Sequence, residues 1–204
     1  MEKIKVKELD QVVVRFDGDS GDGMQLTGSI FSNISAIIGN EISTFPDYPA
    51  EIRAPQGTVG GVSGFQVHIG SGKVYTPGDD ADVLVAMNPA ALKVNAKHVK
   101  KGGVIIFDQD SFEKNDLVKA GFVSDDPFTE MSVSETISLV PAQLTTLTQK
   151  SLEGFPLDNK AILRSKNMFA LGLICWLFNR PMDQAVHFLG NKFGKKPSVL
   201  EANV

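Results

Sequence analysis

Residues 11–39 constrain this chain more than any other stretch. Val12-Val13-Val14-Arg15-Phe16 is a short apolar run that closes on Asp17-Gly18 and reads as a buried strand. Gly18, Gly21 and Gly23 then punctuate six residues. After them Thr27, Ile30, Phe31, Ile34, Ile37 and Ile38 recur at helical spacing. Asp22 stands where a helix N-cap is expected, and Gly39 where the helix should stop. A strand, a glycine-rich turn and a helix in that order make an anion-friendly corner. The glycines let backbone approach a ligand, and the helix start presents unpaired N–H groups and a partial positive charge. Ser20 adds a hydroxyl donor. The spacing is not Gly-x-Gly-x-x-Gly, and no Lys follows Gly23 as in a Walker A loop. Asp19 and Asp22 repel a bare phosphate and suit backbone capping or sugar hydroxyls instead. Two readings stay open: a nucleotide or phosphate site, and a purely structural turn.

The rest of the chain sets this corner in an alternating pattern. Ile42–Phe45, Gly64–Ile69, Ala81–Met87, Val104–Phe107 and Ile137–Val140 read as strands, and in the second of these Gln66 and His68 mark a polar face. Asn88 and Pro89 open a helix that runs to about Val99, with Asn88 as N-cap and Pro89 in the first turn. Gly102-Gly103 turns the chain into the next strand. Phe112–Ala120 reads as a short helix, Asn159–Asn179 as a long buried one, and Pro181–Phe193 as an amphipathic one. Strands alternating with helices predict an α/β fold of three layers, a mostly parallel sheet covered by helices on both faces. Its 204 residues suit one domain. The expected division is 1–196 as that domain, with 197–204 beginning a connection to a further domain downstream.

Composition removes several classes of function. The net charge of −4 leaves no basic face for nucleic acid. Lys100-Lys101 and the lysines from 192 to 196 read as solvated surface. The longest apolar run, Met168–Phe178, is too short to span a bilayer. No signal peptide is evident, and the expected compartment is the cytoplasm. The single cysteine, Cys175, lies in an apolar run and reads as a core residue. One thiol holds neither an iron–sulfur cluster nor a structural zinc.

Three other groups bear on function. The stretch 46–61 carries three prolines and three glycines around Glu51, Arg53 and Gln56. It reads either as a surface loop with an exposed Glu–Arg pair or as an ordered loop reaching a ligand or partner. His68, His98 and His187 show no metal-ligand spacing and read as structural. Arg164 and Lys166 read either as a solvated helix start or as cations for phosphates or an acidic partner.

Gly18-Asp-Ser-Gly-Asp-Gly-Met-Gln-Leu-Thr-Gly28, Phe45-Pro-Asp-Tyr-Pro-Ala-Glu-Ile-Arg-Ala-Pro-Gln-Gly57 and Gly61-Val-Ser-Gly-Phe-Gln66 together resemble the gamma domain of 2-oxoacid:ferredoxin oxidoreductases. The similarity is to the type in which that domain precedes the alpha domain in one chain, as in 2-oxoglutarate:ferredoxin oxidoreductase. It extends over nearly all the residues, and the Pro-Ala-Glu-Ile-Arg-Ala-Pro-Gln stretch is its most specific part. The resemblance implies coenzyme-A-dependent oxidative decarboxylation of a 2-oxoacid, with ferredoxin as electron acceptor. It implies thiamine diphosphate, Mg²⁺ and iron–sulfur clusters on other domains or subunits, an oligomeric complex of alpha and beta parts, and no catalytic or metal-ligating residue here. It places Gly18, Ser20, Gly21, Asp22 and Gly23 at the nucleotide end of coenzyme A, and Glu51, Arg53 and Gln56 at the junction with partner domains. Two alternatives remain: an assembly scaffold in which the corner is only structural, and a free-standing dinucleotide enzyme using the acidic residue near Phe45-Pro46-Asp47.

Overall fold

A computed structural model describes residues 6–49 and 61–204. Six strands form one sheet: β1 Gln11–Asp19, β2 Glu41–Asp47, β3 Val62–Gly70, β4 Ala81–Ala86, β5 Val99–Asp108 and β6 Ser138–Ala142. Their spatial order is β2-β3-β1-β4-β5-β6. The neighbours β1/β4, β4/β5 and β5/β6 are parallel, and β3 runs against both β1 and β2. The sheet is thus mostly parallel, with one reversed strand. Prolines sit in both edge strands, Pro46 in β2 and Pro141 in β6, where a missing N–H costs no ladder bond.

Alternation along each strand divides the core. Val12, Val14 and Phe16 of β1, Phe65, Val67 and Ile69 of β3, and Val83 and Val85 of β4 face one side. Helix α1 (Met24–Ile37) packs there, joined by α7 (Lys166–Leu177) and α8 (Asp183–Phe193). Leu84, Ala86, Ile105 and Phe107 face the other side, against α2 (Pro89–Asn95) and α3 (Lys114–Lys119). The remaining helices are α4 (Pro127–Glu130), α5 (Leu144–Ser151), α6 (Asn159–Arg164) and α9 (Pro197–Asn203). Residues 197–203 are therefore helical, and Leu200 packs on the first core.

The structure corrects several sequence expectations. β1 continues through Gly18 to Asp19, because β3 pairs with it over its full length. Helix α1 is capped by Gly23, whose φ of 76° suits glycine, and Asp22 does not cap it. The Asp22 carboxylate instead turns back to accept from the Asp19 N–H at 2.9 Å. Gln66 does not mark a solvated face. It is buried, and its amide donates to the carbonyls of Pro77 and Gly78. The helix after Asn88 is α-helical to Asn95 and continues as a 3-10 turn to His98, close to the expected end, and Val99 already pairs with β4, so Gly102-Gly103 falls inside β5 at a register shift. The long helix predicted over Asn159–Asn179 is two helices meeting at Ser165, whose N–H closes a short turn onto Ile162. Leu171, Ile174 and Cys175 are buried as expected, but Trp176 near its far end is 70% exposed.

Gly28 of α1 sets how closely that helix lies on the sheet. A Cβ there would fall among the ring atoms of Phe65, and 2.7 Å from its Cβ. Alanine gains about 1 kcal/mol of helix propensity over glycine. Overpacking a fixed core typically costs about 1–3 kcal/mol. Because Phe65 is buried and its own Cβ cannot swing away, the steric cost should win. Gly28→Ala is expected to lower the urea midpoint, and a higher midpoint would show that the helix can lift off the sheet.

Candidate functional site

The chain leaves β1 to form α1 on one face of the sheet and leaves β4 to form α2 on the opposite face. Between β1 and β4 the connections diverge, which opens a crevice at the carboxyl ends of the strands. The cavity there measures about 570 Å³. Its walls come from Asp19 at the end of β1 and residues 20–22 after it, residues 87–90 after β4, Ser111, Asp116 and Lys119 after β5, and Lys166 at the start of α7.

Each wall is held by the local chain. The corner is a tight turn, with the Asp22 N–H donating to the Asp19 carbonyl at 2.9 Å and the Ser20 N–H to the Gly61 carbonyl at 3.1 Å. Asn88 does cap α2 as expected, accepting from the Ala91 N–H at 2.8 Å, and its amide donates to Asp19 Oδ1 at 2.9 Å. The two strand-to-helix turns are thereby tied together across the crevice. Lys166 is not a solvated helix start. It is 14% exposed and donates to Asp108 Oδ2 at 3.0 Å. Asp108, fully buried at the end of β5, also accepts from Ser111 Oγ and from the Thr145 N–H and hydroxyl.

The charge balance of this crevice is unusual for a phosphate site. Asp19, Asp22 and Asp116 line it. Of its two lysines, Lys119 is paired with Asp116 at 2.8 Å and Lys166 with Asp108. Partial burial and the neighbouring Asp22 charge raise the Asp19 carboxyl above its ordinary value, opposed by the Asn88 amide and Lys166. Backbone groups, Ser20, Asn88 and acceptor carboxylates suit a ligand rich in hydroxyls and amides.

Among the expected site residues, Ser20, Gly21 and Asp22 line the crevice, while Gly18 lies in β1 and Gly23 caps α1. Glu51, Arg53 and Gln56 lie outside the described residues. Asn88, Ser111, Lys119 and Lys166 are brought in by the sheet order. Only the repeated strand-to-helix turn at Asn88-Pro89 hinted at that in the sequence. The histidines bond to separate neighbours: His68 to the Thr76 carbonyl and Gln11, His187 to Asn191, and His98 lies 3.9 Å from Asp80. Cys175 is buried, which pushes its thiol up to about 11 and keeps it neutral. Among the described residues no three His, Cys, Asp or Glu side chains gather as a metal site, and no helix is long and apolar enough to cross a membrane.

Comparison with known proteins places this geometry. The family model described as pyruvate ferredoxin/flavodoxin oxidoreductase matches residues 13–204. The 2-oxoglutarate oxidoreductase subunit KorA of Mycobacterium tuberculosis is 47% identical over 198 residues, which is 97% of this chain and 30% of that protein. The ketoisovalerate oxidoreductase subunit VorA of Methanothermobacter marburgensis is 31% identical over 55% of this chain and 23% of its own. The chain thus spans about a third or less of the curated relatives it matches. Among solved structures, the 2-oxoglutarate:ferredoxin oxidoreductase of Magnetococcus marinus, which holds 2-oxoglutarate, coenzyme A and succinyl-CoA, superposes with a TM-score of 0.71 at 30% identity, over 96% of this chain and 29% of that one. A keto/oxoacid ferredoxin oxidoreductase gamma subunit from Geobacter sulfurreducens shares the fold, with a TM-score of 0.62, 19% identity and 94% of each chain covered.

Proposed function

The chain belongs to the pyruvate ferredoxin/flavodoxin oxidoreductase family, and on that premise we propose that it is the coenzyme-A-holding, gamma-type part of a cytoplasmic 2-oxoacid oxidoreductase acting on 2-oxoglutarate. In that reaction a 2-oxoacid loses CO₂, its acyl group passes to the coenzyme A sulfur, and two electrons leave for ferredoxin. Thiamine diphosphate with Mg²⁺ supplies the carbon chemistry and iron–sulfur clusters carry the electrons, both held by other parts of the enzyme. This chain binds and orients the acyl acceptor, which is the protein's usual share in cofactor chemistry.

One observation carries the reading: the glycine corner opens onto a crevice at the switch point of the sheet, where α/β folds bind their ligands. Coenzyme A in the Magnetococcus marinus structure supports it as the occupant. Ser20, Gly21, Asp22 and Asn88 fit the amide- and hydroxyl-bearing arm of that molecule, with Gly18 and Gly23 shaping the turn. The chain also serves assembly with the alpha and beta parts, through surfaces that include the exposed Trp176, Leu177 and Met182.

Gly21 provides a clean test. A Cβ at this position meets nothing within 4 Å, so a large residue burdens the fold little. Gly21→Trp in the assembled enzyme is expected to weaken coenzyme A binding roughly tenfold or more, about 1.4 kcal/mol or more, without lowering the thermal midpoint. Unchanged affinity by calorimetry would remove the crevice from coenzyme A binding.

A further inference from the structure

The end of the sheet opposite the crevice has a groove of its own, of about 470 Å³. It is lined by Asn40 and Gly70 at the sheet margin, by Val6 and Leu9 ahead of β1, and by Leu177 and Arg180 at the end of α7. Large apolar side chains are exposed around this end. Ile37 and Ile38 close α1, Trp176 and Leu177 close α7, and Met182 and Val186 begin α8. Phe31 of α1 and Phe178 meet with ring centres 5.9 Å apart, which brings the end of α7 against α1. Exposed apolar residues scattered singly need no explanation, whereas a group gathered at one end marks an interaction surface.

Arg180 gives this surface a charge requirement. Its backbone N–H donates to the Cys175 carbonyl at 2.7 Å, after Asn179 has turned the chain with a φ of 50°. Its Nη1 donates to Asn40 Oδ1 at 2.8 Å, so the guanidinium is held in place. Nε is enclosed by protein, while Nη2 is not enclosed and makes no bond among the described residues. No carboxylate of the described residues comes within 4 Å of this cation. Lys7, Glu8 and Asp10, exposed on the segment before β1, border the groove without reaching it. Partial burial lowers the Arg180 pKa below the ordinary arginine value. A cation drawn partly out of water, with a free donor facing outward, is matched by a carboxylate brought from outside.

We infer that another subunit of the complex docks on this end of the domain, with an apolar surface that carries an aspartate or glutamate seated against Arg180. The inference rests on the assembly role proposed above and gives the partner a chemistry. The apolar side chains supply area to bury, and the guanidinium supplies a charge-assisted bond from a fork already fixed in place. Tryptophan and arginine are the residues that most often dominate binding energy at interfaces. The charge also selects against a second copy of this chain. A two-fold pair brings the same face to itself, so Arg180 would meet a surface centred on another cation. Docking here leaves the crevice open, because the two lie at opposite ends of the sheet.

The test is dissociation of the assembled enzyme, read by sedimentation velocity over a dilution series, with thermal midpoints checked alongside. Trp176→Ser removes a ring that is mostly in water, so it burdens the fold of this chain little. Trp176→Ser and Arg180→Met are each expected to weaken association with the other subunits about tenfold or more. Arg180→Glu is expected to weaken it further than Arg180→Met, because it sets one carboxylate against another. Both Arg180 variants lose the bond to Asn40, so the difference between them reads the charge alone. If Trp176→Ser weakens association while Arg180→Glu does no more than Arg180→Met, the assembly face stands and the partner carboxylate falls. If none of the three weakens it, both fall. Loss of a contact between two copies of this chain, with contacts to the other subunits kept, makes the occupant a second copy and overturns the inference.

Discussion

Arg15→Met should destabilise the domain by about 3–5 kcal/mol, the usual cost of leaving one member of a buried ion pair alone. That is a large share of the roughly 5–15 kcal/mol a domain has in total. The Arg15 guanidinium lies under the corner. It donates from Nε to Asp17 Oδ2 at 2.8 Å and Oδ1 at 3.1 Å, and from a terminal nitrogen to Asp47 at 2.6 Å. Asp17 is fully buried, and Gly64 on β3 leaves room for its carboxylate. Burial pushes the Asp17 carboxyl up to about 7, against the attraction of Arg15. The sign of the pH dependence follows. With the folded value above the unfolded 3.8, the native state holds more protons between about pH 4 and 7. This group's contribution is therefore complete below pH 4 and is lost as pH rises through 7. Without Arg15 the carboxyl rises further and is buried neutral at pH 5, so the deficit of the variant should be smaller at pH 5 than at pH 8. Urea unfolding of both proteins at the two pH values measures this. An equal deficit at both would mean that Asp17 does not titrate in this window.

Asp108→Ala is expected to cost a similar amount, about 3–5 kcal/mol, for a different reason. The Asp108 carboxylate gathers four donors, one of them the nearly buried ammonium of Lys166. Alanine leaves that cation without its counter-ion, with only Ser111 Oγ at 3.4 Å to accept from it, and takes the acceptor from two hydroxyls. If the unpaired charge dominates, Lys166→Met in the Asp108→Ala background should recover part of the loss, whereas in the parent it should destabilise. A double-mutant cycle reads this as a coupling of about 0.5–3 kcal/mol. Strictly additive losses would show that Lys166 finds water once Asp108 is gone.

What the sequence revealed and what it hid differ in kind. Val12–Phe16 followed by three glycines and a 3.6-residue apolar repeat is local information, and it located β1, the turn and α1. Asn88-Pro89 likewise announced the cap of α2 through a side-chain bond to a residue three positions on. The order of the strands is not local. Nothing between residues 62 and 70 says that β3 inserts beside β1 and leaves β4 on the far side, yet this arrangement makes the crevice. Lys166 is visible in the sequence as a cation, but neither of its two readings names Asp108, because that partner lies 58 residues away. Gln66 was misread because alternation records polarity but cannot report that the carbonyls of Pro77 and Gly78 bend over to meet it. Helix α5 was missed altogether. Its Thr145, Thr146 and Thr148 are weak helix formers, and burial of Leu144 with the bonds of Thr145 to Asp108 overrides that preference. The fold was read from patterns of two and 3.6 residues, while the site depends on pairs that only the sheet brings together.

Proline at both margins of the sheet bears on how such a domain can grow into something larger. An outer strand ordinarily offers a row of donors and acceptors that a strand from another molecule can extend. Here Pro46 removes one donor from β2 and Pro141 one from β6. Neither margin is a good template for continuing the ladder from copy to copy. Growth into fibres by strand addition is thereby discouraged at both ends. Higher-order architecture built on this domain is left to its helical flanks and loops, where contacts are finite and self-limiting.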